Sequence, residues 1–155
     1  DIRWLRCDLK TVSMLANCLL RQHAIDHGCM ETVLFRDSFL TEGAASSIFV
    51  CKDGVLLVPP KSHLMLPGVT YDVVLELAAR HGVPTEVRDI LADELPEADE
   101  LWMTSSTKEV LAIATLDGRP VGHGAAAGKP GPLGERMWQW YQQFKNDVMR
   151  TGRDD

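Results

Sequence analysis

Ser47-Ile48-Phe49-Val50-Cys51-Lys52-Asp53-Gly54-Val55-Leu56-Leu57-Val58 is the stretch on which the fold turns. Residues 47–51 read as a strand, and Asp53-Gly54 is a two-residue hairpin turn. Residues 55–58 return from it as a second strand. Pro59-Pro60 ends that strand, because neither residue can donate to a ladder. A hairpin this apolar needs cover on its faces, and the flanking sequence offers it.

Downstream, Leu64-Met65-Leu66-Pro67-Gly68-Val69-Thr70 is an apolar loop entering a helix. Thr70 is its expected N-cap, Val73, Val74, Leu77 and Ala78 its buried stripe, and His81-Gly82 its end. Residues 85–87 read as a short strand and 90–98 as a short acidic helix around Ile90, Leu91 and Leu95. Residues 101–104 and 110–116 read as strands, the second turned by Asp117-Gly118. A Gly/Pro-rich loop over 122–134 precedes a last helix carrying Leu133, Met137, Trp140, Tyr141, Phe144 and Val148 at helical spacing.

Upstream, residues 32–35 read as a strand before the polar break Arg36-Asp37-Ser38. Val12, Leu15, Ala16, Leu19, Leu20, His23 and Ala24 form a helical stripe. Thr11 or Ser13 is expected to cap it, and Gly28 to close it. Residues 2–9 alternate as a strand that delivers Lys10 at its end. No internal repeat and no linker divides the chain. The expected architecture is one α/β domain (α+β mixed) over residues 1–150, with helices flanking a mixed sheet or barrel-like core. Residues 151–155 read as a disordered tail. The chain opens at Asp1 without Met and runs straight into an apolar alternation, so we expect a piece of a longer protein.

The chain has 155 residues, 45% hydrophobic and 25% charged, with a formal net charge of −6. That is an ordinary composition for a soluble domain with a substantial core. The negative balance and scattered basic residues argue against nucleic acid or an anionic membrane. No apolar run approaches about 20 residues, so no span is expected. Cys7, Cys18, Cys29 and Cys51 form no C-x-x-C pair, so they read as reduced, mostly buried thiols of a cytoplasmic protein. His23 and His27 lack a third ligand and read as a core or surface pair, with no metal expected. The glycines at 122, 124 and 128 lack a Lys-Ser/Thr ending and read as a flexible loop. Trp138, Trp140 and Tyr141 read as helix packing or a subunit contact.

Five further motifs share one order and spacing. They are Arg3-Trp4-Leu5-Arg6-Cys7-Asp8-Leu9-Lys10, Thr41-Glu42-Gly43, Leu66-Pro67-Gly68-Val69-Thr70, Thr104-Ser105-Ser106-Thr107 and Asp117-Gly118-Arg119-Pro120-Val121-Gly122. Lys10 and Glu42 are an amine and a carboxylate, each beside a strand-like run, as an enzyme holding pyridoxal phosphate needs. With Gly128-Lys129-Pro130-Gly131-Pro132 behind them, the motifs resemble the C-terminal half of a D-amino-acid aminotransferase. That is the class IV aminotransferase family, fold type IV. The resemblance covers nearly the whole chain, and members are about twice as long, with a smaller N-terminal domain not present here.

The resemblance implies that Lys10 forms the Schiff base with pyridoxal phosphate and afterwards shuttles a proton. It puts Glu42 on the pyridine nitrogen, where a carboxylate favours the protonated ring. Val69 and Thr70 are expected to hold the phosphate at a helix N-terminus. Ser105 and Ser106 are expected to add hydroxyl and backbone contacts, and Leu66 to pack on the ring. Ala44 and Ala45 stand where the family has serines, and Ser47 where Asn is common. The implied reaction is transfer of the amino group of a D-amino acid, D-alanine by default, to a 2-oxo acid such as 2-oxoglutarate. The alternatives are an aminodeoxychorismate lyase, a branched-chain aminotransferase, or an inactive folded fragment. The full-length enzyme is expected to be a homodimer.

Overall fold

The computed structural model describes residues 1–149. In chain order its elements are α1 (Leu15–Asp26), β1 (Val33–Arg36), β2 (Phe39–Gly43), β3 (Ser47–Lys52), β4 (Val55–Val58) and α2 (Val69–Arg80). β5 (Thr85–Val87), β6 (Glu100–Ser105), β7 (Glu109–Ala112), β8 (Thr115–Leu116), β9 (Arg119–Pro120) and α3 (Pro132–Phe144) follow. The Asp53-Gly54 turn does close the β3–β4 hairpin, with φ of 51° and 76° at its two residues. Positive φ at both central positions matches the twist of the flanking strands.

The main sheet has the order β5-β4-β3-β6-β7. The β4–β5 pair is parallel and the others are antiparallel. Period-two alternation sends the side chains of β3 to two different cores. Phe49 and Cys51 join Leu56, Val58 and Trp102 under α2 and α3, against Tyr71, Val74, Leu77 and Met137. Ile48 and Val50 join Leu57, Leu101 and Met103 on the other face, against Leu40, Ile90, Leu95 and Val121. Each such side chain stabilises the fold by about 1.5–3 kcal/mol when fully buried.

One buried acid ties α3 to the sheet. Glu100 accepts the Leu133 and Gly134 N–H groups at 2.9 and 2.7 Å and the Trp102 indole N–H at 2.9 Å. It thereby satisfies N–H groups that a helix start leaves unpaired, with a charge the helix dipole favours.

Several expectations are corrected. Residues 2–9 form no strand. No neighbouring strand receives their alternation, and the Leu9 N–H turns back to Arg6 O at 3.2 Å. The polar Arg3 and the thiol Cys7 go inward, while Ile2, Trp4, Leu5 and Leu9 face outward. α1 begins at Leu15, with Met14 as N-cap and no side-chain cap bond. Thr11 Oγ1 instead accepts the Ser13 N–H at 3.2 Å. The stripe of α1 is largely exposed: Val12, Leu15 and Leu19 lie outside the core, and Ala24 is its buried residue.

The N-cap of α2 is Gly68, and Thr70 is a buried residue of the first turn. The span 110–116 is two strands, because the chain leaves the sheet after Ala112 and Thr115–Leu116 pairs with Arg119–Pro120. The acidic helix is a 3-10 turn, Ala92–Glu97, with Pro96 inside it. Val148 is exposed, in a wide turn (Lys145–Met149) past α3.

β2 was not anticipated. Its turn is built by Asp37 and Ser38, which take φ of 51° and 67° without a glycine. Cys7 and Cys51 are buried, but Cys18 and Cys29 are exposed, and all four are free thiols. Two cysteines fall on or just past α1, whose outer face the fold leaves open. His23 and His27 bring their rings to 4.3 Å between centroids, tilted by 43°, on exposed surface at the end of α1. The expected tail, 151–155, lies outside the described residues.

Candidate active site

The seven residues singled out from the sequence surround one cleft of about 220 Å³. Lys10 is exposed at its rim, just after the turn that buries Cys7. That turn is pinned where the Cys7 N–H meets His63 O at 2.8 Å. Glu42 reaches the cleft from the end of β2, Ser105 and Ser106 from the end of β6, and Leu66 from the loop before α2.

Glu42 is buried, and both carboxylate oxygens are held. The Leu66 N–H stands 3.1 Å from each of them. Arg3 Nη1 forms an ion pair with Oε1. Arg3 is itself buried and anchored: it pairs with Asp1 at 2.8 Å and donates to Leu64 O at 3.0 Å. Burial pushes the Glu42 carboxyl above the usual carboxylate range, while Arg3 and the Leu66 N–H pull it back down. A further cation beside Glu42, such as a protonated ring nitrogen, would complete that pull.

At the start of α2 no side chain caps the helix. The Tyr71 N–H donates to Gly68 O at 3.1 Å, which leaves the Val69 and Thr70 N–H groups without an acceptor in the helix, and the dipole favours an anion there. Thr70 is buried at the cleft wall. Val69 holds its side chain in solvent, so its contribution there is the backbone. Gly68 sits close to β3, since a Cβ on it would lie 3.6 Å from Ser47 Oγ.

Across the cleft, the Ser105 hydroxyl accepts the Lys108 N–H at 3.1 Å. Its neighbour Thr104 is 2% exposed, and its Oγ1 has no hydrogen-bond partner. An orphaned buried hydroxyl is costly and asks for a partner. The site thus offers donors for an anion, a carboxylate for a ring cation, an open amine and a buried hydroxyl in want of a partner. These residues fit a phosphate-bearing pyridine aldehyde.

Sequence reasoning missed Arg3 and Thr104. Arg3 was hidden in an apolar alternation, where a charge so placed is itself a sign of a buried partner. Thr104 opens the Thr104-Ser105-Ser106 motif but was passed over for its neighbours. Among the described residues, no group of three His, Cys, Asp or Glu could hold a metal ion, and no helix is long and apolar enough to cross a membrane.

Comparison with known proteins identifies the family. A family model, amino-transferase class IV, matches residues 1–116. A D-alanine aminotransferase from Bacillus licheniformis is 40% identical over 133 residues, covering 86% of this chain and 46% of that protein. The branched-chain amino acid aminotransferase from Escherichia coli superimposes with a TM-score of 0.75 at 32% identity, over 81% of this chain and 42% of that one. A T.th. branched-chain amino acid aminotransferase, complexed with N-(5'-phosphopyridoxyl)-L-glutamate, gives 0.78 at 29% identity, over 84% and 42%. The chain spans about half the length of the curated relatives it matches.

Proposed function

The chain belongs to the class IV aminotransferase family, and on that premise we propose that it is the cofactor-bearing part of a pyridoxal-phosphate-dependent D-amino-acid aminotransferase. The reaction is transfer of an amino group from a D-amino acid, D-alanine by default, to a 2-oxo acid such as 2-oxoglutarate. The observation that carries this reading is the shared cleft of Lys10, Glu42 and the uncapped start of α2.

When bound, the cofactor supplies an electron sink for negative charge developing at the substrate Cα. Lys10 Nζ would hold the cofactor at its aldehyde carbon. As a free amine the same Nζ would serve as general base toward the substrate Cα proton. Glu42 favours a proton on the ring nitrogen, and Arg3 opposes the burial that pushes the Glu42 carboxyl up. The N–H groups of Val69 and Thr70, with the hydroxyls of Thr70, Thr104, Ser105 and Ser106, hold the phosphate. Leu66 covers a face of the ring and excludes water.

D-alanine is preferred to branched-chain L-substrates because the curated relatives named for it reach 40% identity, against 29–32% for the branched-chain structures quoted above. Residues 1–150 act as one unit. Four free thiols suit a reducing cytoplasm. The outward Trp4, Leu5, Leu15 and Leu19 suit a subunit contact in a homodimer. A net charge of −6 suits neither nucleic acid nor an anionic membrane.

A second reading is a chain that binds the cofactor but turns nothing over. The same exposed apolar side chains favour it. A coupled assay on D-alanine and 2-oxoglutarate, run against L-valine and L-leucine, separates the readings. Pyruvate formed from D-alanine supports the first. Turnover of the branched-chain L-substrates alone overturns it, and cofactor binding without turnover supports the second.

A further inference from the structure

Glu31 is a buried carboxylate that the proposed reaction leaves unused. Its side chain is 3% exposed. Oε2 accepts the Ser46 hydroxyl at 2.8 Å, and Oε1 accepts the Thr32 N–H at 3.0 Å. Arg21 Nη1 approaches Oε1 at 4.0 Å and supplies the countercharge that a buried anion needs.

These bonds converge on the turn that follows Glu42. The Gly43 N–H donates to Ser46 O at 2.6 Å, and the Ala44 N–H donates to Thr32 O at 3.0 Å. Asn17 Nδ2 donates to Ala44 O at 2.9 Å from the side of α1. Gly43 is packed so closely that a Cβ there would collide with Ser46 Oγ and lie 3.2 Å from Glu31 Cγ and Cδ. Ser46 in turn forms part of the cleft wall beside Glu42. Ala44 and Ala45, within this turn, carry no side-chain polar group of their own. The charged acceptor is thus brought in from outside the turn, by a residue two positions before β1.

We propose that Glu31 is a positioning residue: through Ser46 it latches the turn over residues 43–46 and so holds the Glu42 carboxylate at its place in the cleft. This rests on the role proposed for Glu42 beside the cofactor ring. A bond to an ionised acceptor is short and strong, and a side chain locked by packing and such bonds keeps its neighbour in register. Deleting the acceptor frees the Ser46 hydroxyl and opens space against Gly43, so the strand end bearing Glu42 loosens.

The test uses the chain with Glu31→Ala, Glu31→Gln and Ser46→Ala. Amide exchange of Gly43 and Ala44 is measured without cofactor, and pyridoxal phosphate affinity by absorbance titration. Glu31→Ala and Ser46→Ala are expected to speed exchange at both amides and to weaken affinity about tenfold, the scale of one lost hydrogen bond to a charged group. Glu31→Gln keeps an acceptor for Ser46 and is expected to stay within about threefold of the parent. If Glu31→Ala does not fold, Ser46→Ala decides. Unchanged exchange overturns the latch, and faster exchange with unchanged affinity overturns its role in placing Glu42. A parent chain with no Lys10-dependent cofactor band overturns the proposed function instead, and the cofactor-free exchange still decides the latch.

Discussion

Replacing Arg3 with Met tests whether a guanidinium, rather than solvent, compensates the carboxylate at the heart of the cleft. The Arg3 and Glu42 side chains are 3% and 7% exposed, so neither can turn to bulk water. Removing one partner of a buried pair leaves an uncompensated charge and costs about 3–5 kcal/mol. The Leu66 N–H remains and softens the loss, which places the expectation at the lower end, about 3 kcal/mol. The sign with pH follows from Glu42. Burial already lifts its carboxyl above the usual range and Arg3 opposes that lift, so Arg3→Met raises it further. A carboxyl raised in the folded state contributes stability while protonated, and that contribution fades as pH rises through the folded value. Arg3→Met is therefore destabilised less at about pH 5 than at about pH 8. Urea unfolding of the cofactor-free chain, followed by the fluorescence of its tryptophans, reads the difference at each pH. Adding Glu42→Gln removes the stranded charge and recovers at least half of the loss. An equal loss at both pH values, with no recovery in the double variant, would refute the reasoning.

Thr104→Val should act in opposite directions on two readouts. It removes a buried hydroxyl that has no partner, so cofactor-free stability in urea rises by about 1 kcal/mol, while affinity for pyridoxal phosphate falls because a phosphate contact is lost; a fall in stability would count against an orphaned hydroxyl. Cys18 and Cys29 should alkylate readily at about pH 8, as exposed free thiols. Cys51 should resist until the chain unfolds, because burial beside Glu100 and Asp99 pushes its thiol up to about 12; mass spectrometry of the modified peptides distinguishes the two behaviours.

What could be read in advance depended on whether a residue's partner lay nearby. The β3–β4 hairpin was legible because Asp53-Gly54 and the apolar runs beside it settle turn and register together. α2 was legible for the same reason, with its stripe over Val74, Leu77 and Ala78. β2 was not, because Asp37 and Ser38 make its turn at a positive φ that short polar side chains only sometimes adopt. Residues 2–9 misled because alternation speaks of a strand only when another strand receives it. There the inward positions are Arg3 and Cys7, chosen by Glu42 and His63 far along the chain. The stripe of α1 is apolar as its spacing indicates, but most of it faces away from the chain's own core. The place in the cleft of Lys10, Glu42 and Leu66 was legible through a motif resemblance, and that of Val69 and Thr70 also through the helix start after a glycine. Arg3, Thr104 and Glu31 were not, since their significance lies in bonds made, or left unmade, across the fold.

The chemistry proposed for the cleft rests on one amine. Pyridoxal phosphate added to the chain, reduced with borohydride and followed by peptide mass mapping, marks the lysine that carried it. Of the six lysines, Lys10 is predicted to bear the pyridoxyl group, with labelling lost in Lys10→Ala. Labelling at Lys52, Lys61 or Lys108 that survives that substitution would contradict it.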